Sequence, residues 1–393
     1  MGKTVMQNWT FASRFRRNAF DWKSQPAIAQ VKQAVSEIKK ADRVDAMRGA
    51  EGALLFFEKV SSALSRVDGS SGAIGTAVNH AVRELVPVIS RAPADGATRD
   101  HWLLRLWNAY EADEMTHIES LGDHWGELAG SKRIASAWAD RLLDHTRYVM
   151  SPDERFYEFF HGTIPCLSAL FSAERYDEIV DLLADISFWP YKRWAVMSMV
   201  EQGRRAEAIR VAESCRRPPV RQREIDLLCE EILLSSGLVD EAYRRYGLAA
   251  NRAGSNLAWF RAVARKYPAR TRSEILLDLV ATQPGDEGMW FAAAKSAGLY
   301  ETAIELALRS PCNPRTLTRA ARDFKEKNPS FAVEAGVAAL YWIARGHGYD
   351  VVGDDVRSAY THTMEAAEHI RYVDSVNERI TRLAERPAER GQT

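Results

Sequence analysis

Three short stretches decide the reading of this chain: Gly203-Arg-Arg-Ala-Glu-Ala208, Gly237-Leu-Val-Asp-Glu-Ala242 and Gly298-Leu-Tyr-Glu-Thr-Ala303. Each places a glycine, then polar or acidic residues, then a small residue that opens an amphipathic run. Looser copies are Arg175-Tyr-Asp-Glu-Ile179, Thr271-Arg-Ser-Glu-Ile275 and Asn328-Pro-Ser-Phe-Ala332. With the last residue of each as anchor, the positions are 179, 208, 242, 275, 303 and 332, spaced by 29, 34, 33, 28 and 29 residues. A helical pattern with a period near thirty is the signature of stacked helix pairs. The spacing therefore predicts an all-α chain: an α-solenoid of stacked antiparallel helix pairs behind an N-terminal helical region.

The rest of the sequence agrees with that class. Hydrophobic residues make up 46% of the 393 positions, enough for an extended core, and no stretch alternates long enough for a sheet. Lys plus Arg and Asp plus Glu balance at 53 each, giving zero formal charge. A dedicated nucleic-acid binder draws its affinity from a basic excess, so that class is disfavoured except through a local patch. Zero net charge also favours self-association, which makes a homo-oligomer an expectation. Cys166, Cys215, Cys229 and Cys312 are scattered with no C-x-x-C pair, as in a reduced cytoplasmic protein. No signal peptide is visible after the opening Met-Gly-Lys-Thr-Val-Met, and no apolar run approaches the roughly 18 residues of a membrane span.

Taken in order, residues 1–25 form an arm in which Trp9, Phe11, Phe15, Phe20 and Trp22 alternate with Arg14, Arg16, Arg17 and Lys23. Such interleaving suits either base stacking or rings packed on the first helices. Residues 26–172 read as an N-terminal helical domain. Its helices are expected near 27–40, 43–67, 73–91, 99–112, 115–129, 132–150 and 153–171, with Ser70 or Ser71 capping the third. Residues 173–345 carry the repeats. Prolines at 190, 218, 219, 268, 284, 311, 314 and 329 are expected between helices. Residues 346–384 read as a helical cap over about 356–383, and 385–393 as a disordered charged tail.

The run Phe20-Asp-Trp22, the helix to Lys40, the stretch from Ala53 to Asp68 with its Ser-Ser-Gly turn, and the Gly-x-x-x-Glu-Ala repeats together resemble a bacterial family of uncharacterised helical-repeat proteins. That family is similar to the tetratricopeptide-like regions that follow SWIM zinc fingers. The resemblance implies an α-solenoid and carries no activity. The zinc finger itself is missing, since the chain has no C-x-C pair with a downstream Cys-x-His, and the tryptophan and tyrosine signature of true tetratricopeptide repeats is missing too.

Few residues suggest chemistry. Asp113, His117, Asp123 and His124 are metal-ligand types close together, but without an H-E-x-x-H they read as a solvated helix edge. His161 and Cys166 flank Pro165 with no orienting carboxylate, so Cys166 reads as a small buried hydrophobe. Asp68, Ser70 and Ser71 resemble a phosphate site at a helix start, which a helix cap explains with less. No cofactor, metal or catalytic residue is expected.

What remains are basic clusters: the arm's Arg14, Arg16 and Arg17; the loop cluster Arg216, Arg217, Arg221 and Arg223; then Lys266, Arg270 and Arg272; and Arg309 with Arg315. The first two are the candidate partner-binding residues. The leading expectation is a non-enzymatic scaffold or adaptor that binds a protein through its solenoid surface. The alternative is a nucleic-acid- or nucleoprotein-associated factor that uses the same arginines.

Overall fold

A computed structural model describes residues 9–150, 160–216 and 222–385. Among them there are helices and turns and no strand. No described helix is long and apolar enough to cross a membrane. The chain divides into two compact units, residues 1–220 and 221–393. The repeat signature runs through both: anchors 179 and 208 lie in the first, the other four in the second.

The first unit holds α1 (Ser24–Asp42), α2 (Ala46–Leu64), α3 (Ala73–Arg91), α4 (Gly96–Glu111), α5 (Trp125–Ala129), α6 (Lys132–Met150), α7 (Thr163–Ser172), α8 (Tyr176–Leu182), α9 (Trp189–Glu201) and α10 (Arg205–Ser214). Helices α1, α2 and α3 pack on one another. Their apolar stripes, including Val31, Ala34 and Ile38, Leu54, Phe56 and Val60, and Val78, Val82 and Leu85, are all buried in one core. Each large side chain so buried contributes about 1.5–3 kcal/mol. Two buried cations finish helix ends, where carbonyls lack intrahelical partners. The Arg99 guanidinium donates to Ile89 O and Ala92 O at 2.6 Å past the end of α3. Lys192 Nζ donates to Leu183 O at 2.6 Å and Ala184 O at 2.9 Å past α8.

The second unit holds α11 (Gln222–Ser235), α12 (Val239–Ala242), a π turn (Tyr243–Gly247), α13 (Leu248–Ala250), α14 (Asn256–Lys266), α15 (Arg272–Ala281), α16 (Phe291–Ala297), α17 (Tyr300–Arg309), α18 (Pro314–Phe324), α19 (Pro329–Ala344), α20 (Gly353–Ile370) and α21 (Val373–Glu385). Near its C-terminal end Ala332, Val333, Ala366, Ala367 and Val376 form a small-residue core. Gly336 lets α19 and α20 approach closely, because a Cβ there would fall 1.9 Å from Thr363 Oγ1.

The repeat has a physical basis in its linker. Gly203, Gly237 and Gly298 sit at φ 78, 75 and 81°, just past a first helix. In each case the glycine N–H and the following N–H fold back on the helix end. For Gly203 the bonds are Gly203 N to Val200 O at 2.9 Å and Arg204 N to Met199 O at 2.8 Å; pairs at 2.9–3.1 Å recur at Gly237 and Gly298. This double closure satisfies orphan carbonyls and needs a left-handed residue, which glycine adopts without strain. The next residue, Arg204, Leu238 or Leu299, caps the second helix at φ −82, −87 and −90°. Its carbonyl accepts from the anchor N–H at 2.9 Å. The looser copy at Glu174-Arg175 has the same closure, with Glu174 at φ 61°. All six anchors (Ile179, Ala208, Ala242, Ile275, Ala303 and Ala332) are 0% exposed. The two remaining copies keep the anchor but start their helices by side-chain capping, from Thr271 and Asn328. Arg371, at φ 59°, forms a further closure before α21 that the sequence reading does not contain.

Several expectations are corrected. Neither Ser70 nor Ser71 caps α3: Gly72, at φ 68°, holds that position, and Ser71 Oγ accepts only a long 3.4 Å bond from Ala73 N. The second helix begins at Ala46 and not near residue 43, because extended Asp45 caps it by accepting from Arg48 N. The span 115–129 is not one helix; Thr116 at φ 53° turns the chain, and a 3-10 segment, Glu119–His124, precedes α5. Of the expected helix over 153–171, residues 160–162 form a turn before α7, and residues 153–159 lie outside the described residues. Pro190, Pro314 and Pro329 occupy first turns, where a missing N–H costs nothing. Arg371 splits the expected helix 356–383 into α20 and α21.

Candidate interaction site

The arm spends its rings on the core. Phe11 and Phe15 are 1% exposed and meet Phe56 edge-on, with centroids 6.3 and 5.6 Å away. Trp9 lies against Gly52, where a Cβ would come within 2.4 Å of the indole. Glu37 on α1 fixes the arm by accepting from Thr10 N at 2.7 Å and Phe11 N at 3.2 Å. These rings cannot take bases. Trp22, 70% exposed, is the arm's accessible ring.

The candidate arginines therefore separate. Arg14 lies along α1 and donates to Gln30 Oε1 at 2.8 Å and Gln33 Oε1 at 2.6 Å. Arg16 and Arg17 are exposed on the turn that follows. In the loop cluster, Arg217 and Arg221 lie outside the described residues. Arg216 is half-buried in the first unit, and Arg223, in the second, donates to Ala250 O at 3.2 Å. The other clusters tie helices together. Arg270 pairs with Asp240 at 2.8 Å and lies 4.0 Å over the Tyr243 ring, and Arg315 pairs with Asp355 at 2.9 Å.

Asp113, His117, Asp123 and His124 form no metal-holding group among the described residues, and the expectation of a solvated helix edge is corrected at Asp113 and His117, which are buried, His117 with its Nε2 unpartnered. The Asp113 carboxylate accepts from Ser61 Oγ and Ile118 N. Asp123 pairs with Arg193, and His124 with Glu127 at 3.2 Å. Cys166 is buried, and that burial pushes its thiol up to about 11, far from the thiolate a nucleophile needs.

Two arrangements escaped the sequence reading. The first is a buried polar knot in the second unit. Glu230, 0% exposed on α11, accepts from Tyr267 Oη at 2.6 Å, Asn251 Nδ2 at 2.7 Å and Lys266 Nζ at 2.6 Å. Burial, then Glu230, pushes the Tyr267 hydroxyl upward, so it stays a donor. Asn251 also donates to Gly247 O at 2.8 Å, closing the π turn. Every carboxylate oxygen has a donor, as a buried charge requires.

The second is a trough between α1 and α3, about 340 Å³ in volume. Its floor is Val31 and Val35 from α1 with Ala77 and Ala81 from α3, and its rim carries Lys32, Lys39, Lys40, Arg43 and His80. Lys39 is paired with Glu84 across the trough, which holds that carboxyl below its usual range. The cations recur at 32, 39, 40 and 43, a helical stripe in the sequence, but the facing wall lies some forty residues on. The chain matches no protein-family model and no curated protein.

Proposed function

We propose that the chain is a helical-repeat scaffold: its helix pairs stack as an α-solenoid, and its surface binds a protein partner in the cytoplasm without catalysis. One observation carries this reading. Several buried polar groups are consumed in holding helices, as at Arg99, Lys192, Asp113 and Glu230, while uncommitted charge is left on exposed helix faces. Four free, buried cysteines suit a reducing compartment. Endogenous tagging, with cross-linking before purification, tests the reading. A protein recovered at fixed stoichiometry after nuclease treatment is expected; recovery of nucleic acid alone, or of no macromolecule, overturns it.

The alternative, a nucleic-acid-associated factor, rests on the exposed Arg16, Arg17 and Trp22 of the arm. Gel shifts at physiological salt decide it. Sub-micromolar binding lost in Arg16→Glu/Arg17→Glu makes this the leading reading, because two lost phosphate contacts lower the salt slope by about two.

A further inference from the structure

The α1–α3 trough gathers more cations than its own acids balance. Several basic side chains elsewhere find carboxylates, as Arg105 does with Glu51 and Glu58, Arg175 with Glu178 and Asp140, and Arg379 with Glu334. Around the trough the acids are already engaged. Glu84 is held by Lys39, Glu37 is turned to the arm's backbone, and Asp42 faces Arg91 at 3.7 Å. Lys32, Lys40 and Arg43 are exposed and make no ion pair among the described residues. A chain of zero net charge thus leaves three cations unmatched along one edge of one trough.

The floor defines what those cations can hold. Val31 and Ala81 are buried and Val35 and Ala77 are half-buried, so a shallow aliphatic strip runs between the two helices. Small side chains on α3 leave room for larger apolar ones from outside. An amphipathic helix matches this pattern, since its apolar residues recur at three- and four-residue steps along one face. Carboxylates flanking that face would meet Lys32, Lys40 and Arg43. Nucleic acid fits less well. The floor has no aromatic ring on which a base can stack, and the Glu84 carboxylate stands in the wall.

We propose that the α1–α3 trough is the docking site for an acidic amphipathic helix of a protein partner. The half-buried Val35 and Ala77 supply apolar contact, and the three cations supply orientation and association rate. This rests on the scaffold reading and names the face and the partner's chemistry.

Fluorescence anisotropy on the full chain tests it with a labelled amphipathic peptide, Leu on one face and Glu on the other. The comparison probes are the same peptide with Lys in place of Glu, one with the Leu residues replaced by Ser, and a single-stranded oligonucleotide. The Leu/Glu peptide is expected to bind at least about tenfold tighter than each of the three. Binding should weaken by about tenfold in Lys32→Glu/Lys40→Glu/Arg43→Glu, and by a few-fold in the milder Lys32→Gln/Lys40→Gln/Arg43→Gln, which only removes exposed charge. Circular dichroism confirms that both variants fold. Peptide binding that ignores both variants overturns the proposal, as does tighter oligonucleotide binding lost in the same variants. Purification of the tagged Glu variant separates the two readings. A partner retained by it sinks the trough while leaving the scaffold standing; a partner missing from the unmutated chain as well sinks the scaffold.

Discussion

A ring cluster in the first unit and a buried carboxylate in the second hold helices by different means. In the first, rings meet rings: Trp125 is fully buried with Trp107 and Trp138 at 5.7 and 5.4 Å, and Phe56 gathers Phe11, Phe15 and Phe57. In the second, a carboxylate at full burial ties α11, the π turn and α14 through Tyr267, Asn251 and Lys266. Ring packing is non-directional and tolerates small shifts. A buried carboxylate tolerates none, because each oxygen left without a donor costs about 1–3 kcal/mol or more. The ring cluster is held by area, and the polar knot by register.

The largest test of that contrast compares Trp125 with Glu230. Trp125→Ala is expected to cost about 3–5 kcal/mol through lost burial and the cavity left behind. Trp125→Phe should cost only about 1 kcal/mol, because the indole N–H makes no hydrogen bond and its loss is free. At Glu230 the cost comes from stranded partners and not from lost volume. Glu230→Ala should cost about 3 kcal/mol despite the smaller side chain, since it strands Tyr267 and Asn251. Urea titration followed by hydrogen exchange on peptides from each unit measures both. A Glu230→Ala chain as stable as the unmutated one would break the contrast.

The linker closures give an effect of middle size and opposite signs. Gly203, Gly237 and Gly298 have open space around the missing Cβ, so replacement by Ala tests the backbone alone. Each should cost about 1 kcal/mol, the strain of a left-handed residue. Glu174→Gly, at φ 61°, removes that strain and should stabilise by a fraction of this amount. Thermal midpoints that move the same way at all four positions would contradict a shared closure.

The smallest effect is a pH dependence in the second unit. The Arg315 guanidinium, with the Val352 N–H, holds the Asp355 carboxyl down to about 2. A depressed carboxyl contributes stability that is complete above its unfolded value, about 3.9, and is lost as pH falls toward 2. Asp355→Asn should therefore lower the thermal midpoint slightly at neutral pH and flatten its fall between about pH 4 and 2. An unchanged slope in the variant would remove the pair from the account.

Local pattern made much of the fold legible. Helix α3 ends where sequence periodicity placed it, and the six anchors are all buried, because a period of 3.6 and the need for glycine past a helix end are properties of the backbone alone. Arg371 escaped because a non-glycine residue in the left-handed region leaves no compositional mark. The candidate arginines were legible as charges and not as partners: Arg14 lies on Gln30 and Gln33, sixteen and nineteen residues away.

By itself, then, the sequence determined the helical class, the linker closures and the small buried anchors, each set within a handful of neighbouring residues. Only the tertiary structure decided which charges are spent and which remain. Glu230 meets Tyr267 across 37 residues, and Lys39 takes Glu84 across 45, leaving Lys32, Lys40 and Arg43 unmatched over an aliphatic floor. Pairing depends on which helix faces which, and that is fixed by the burial of whole apolar stripes, not by any local spacing of charge.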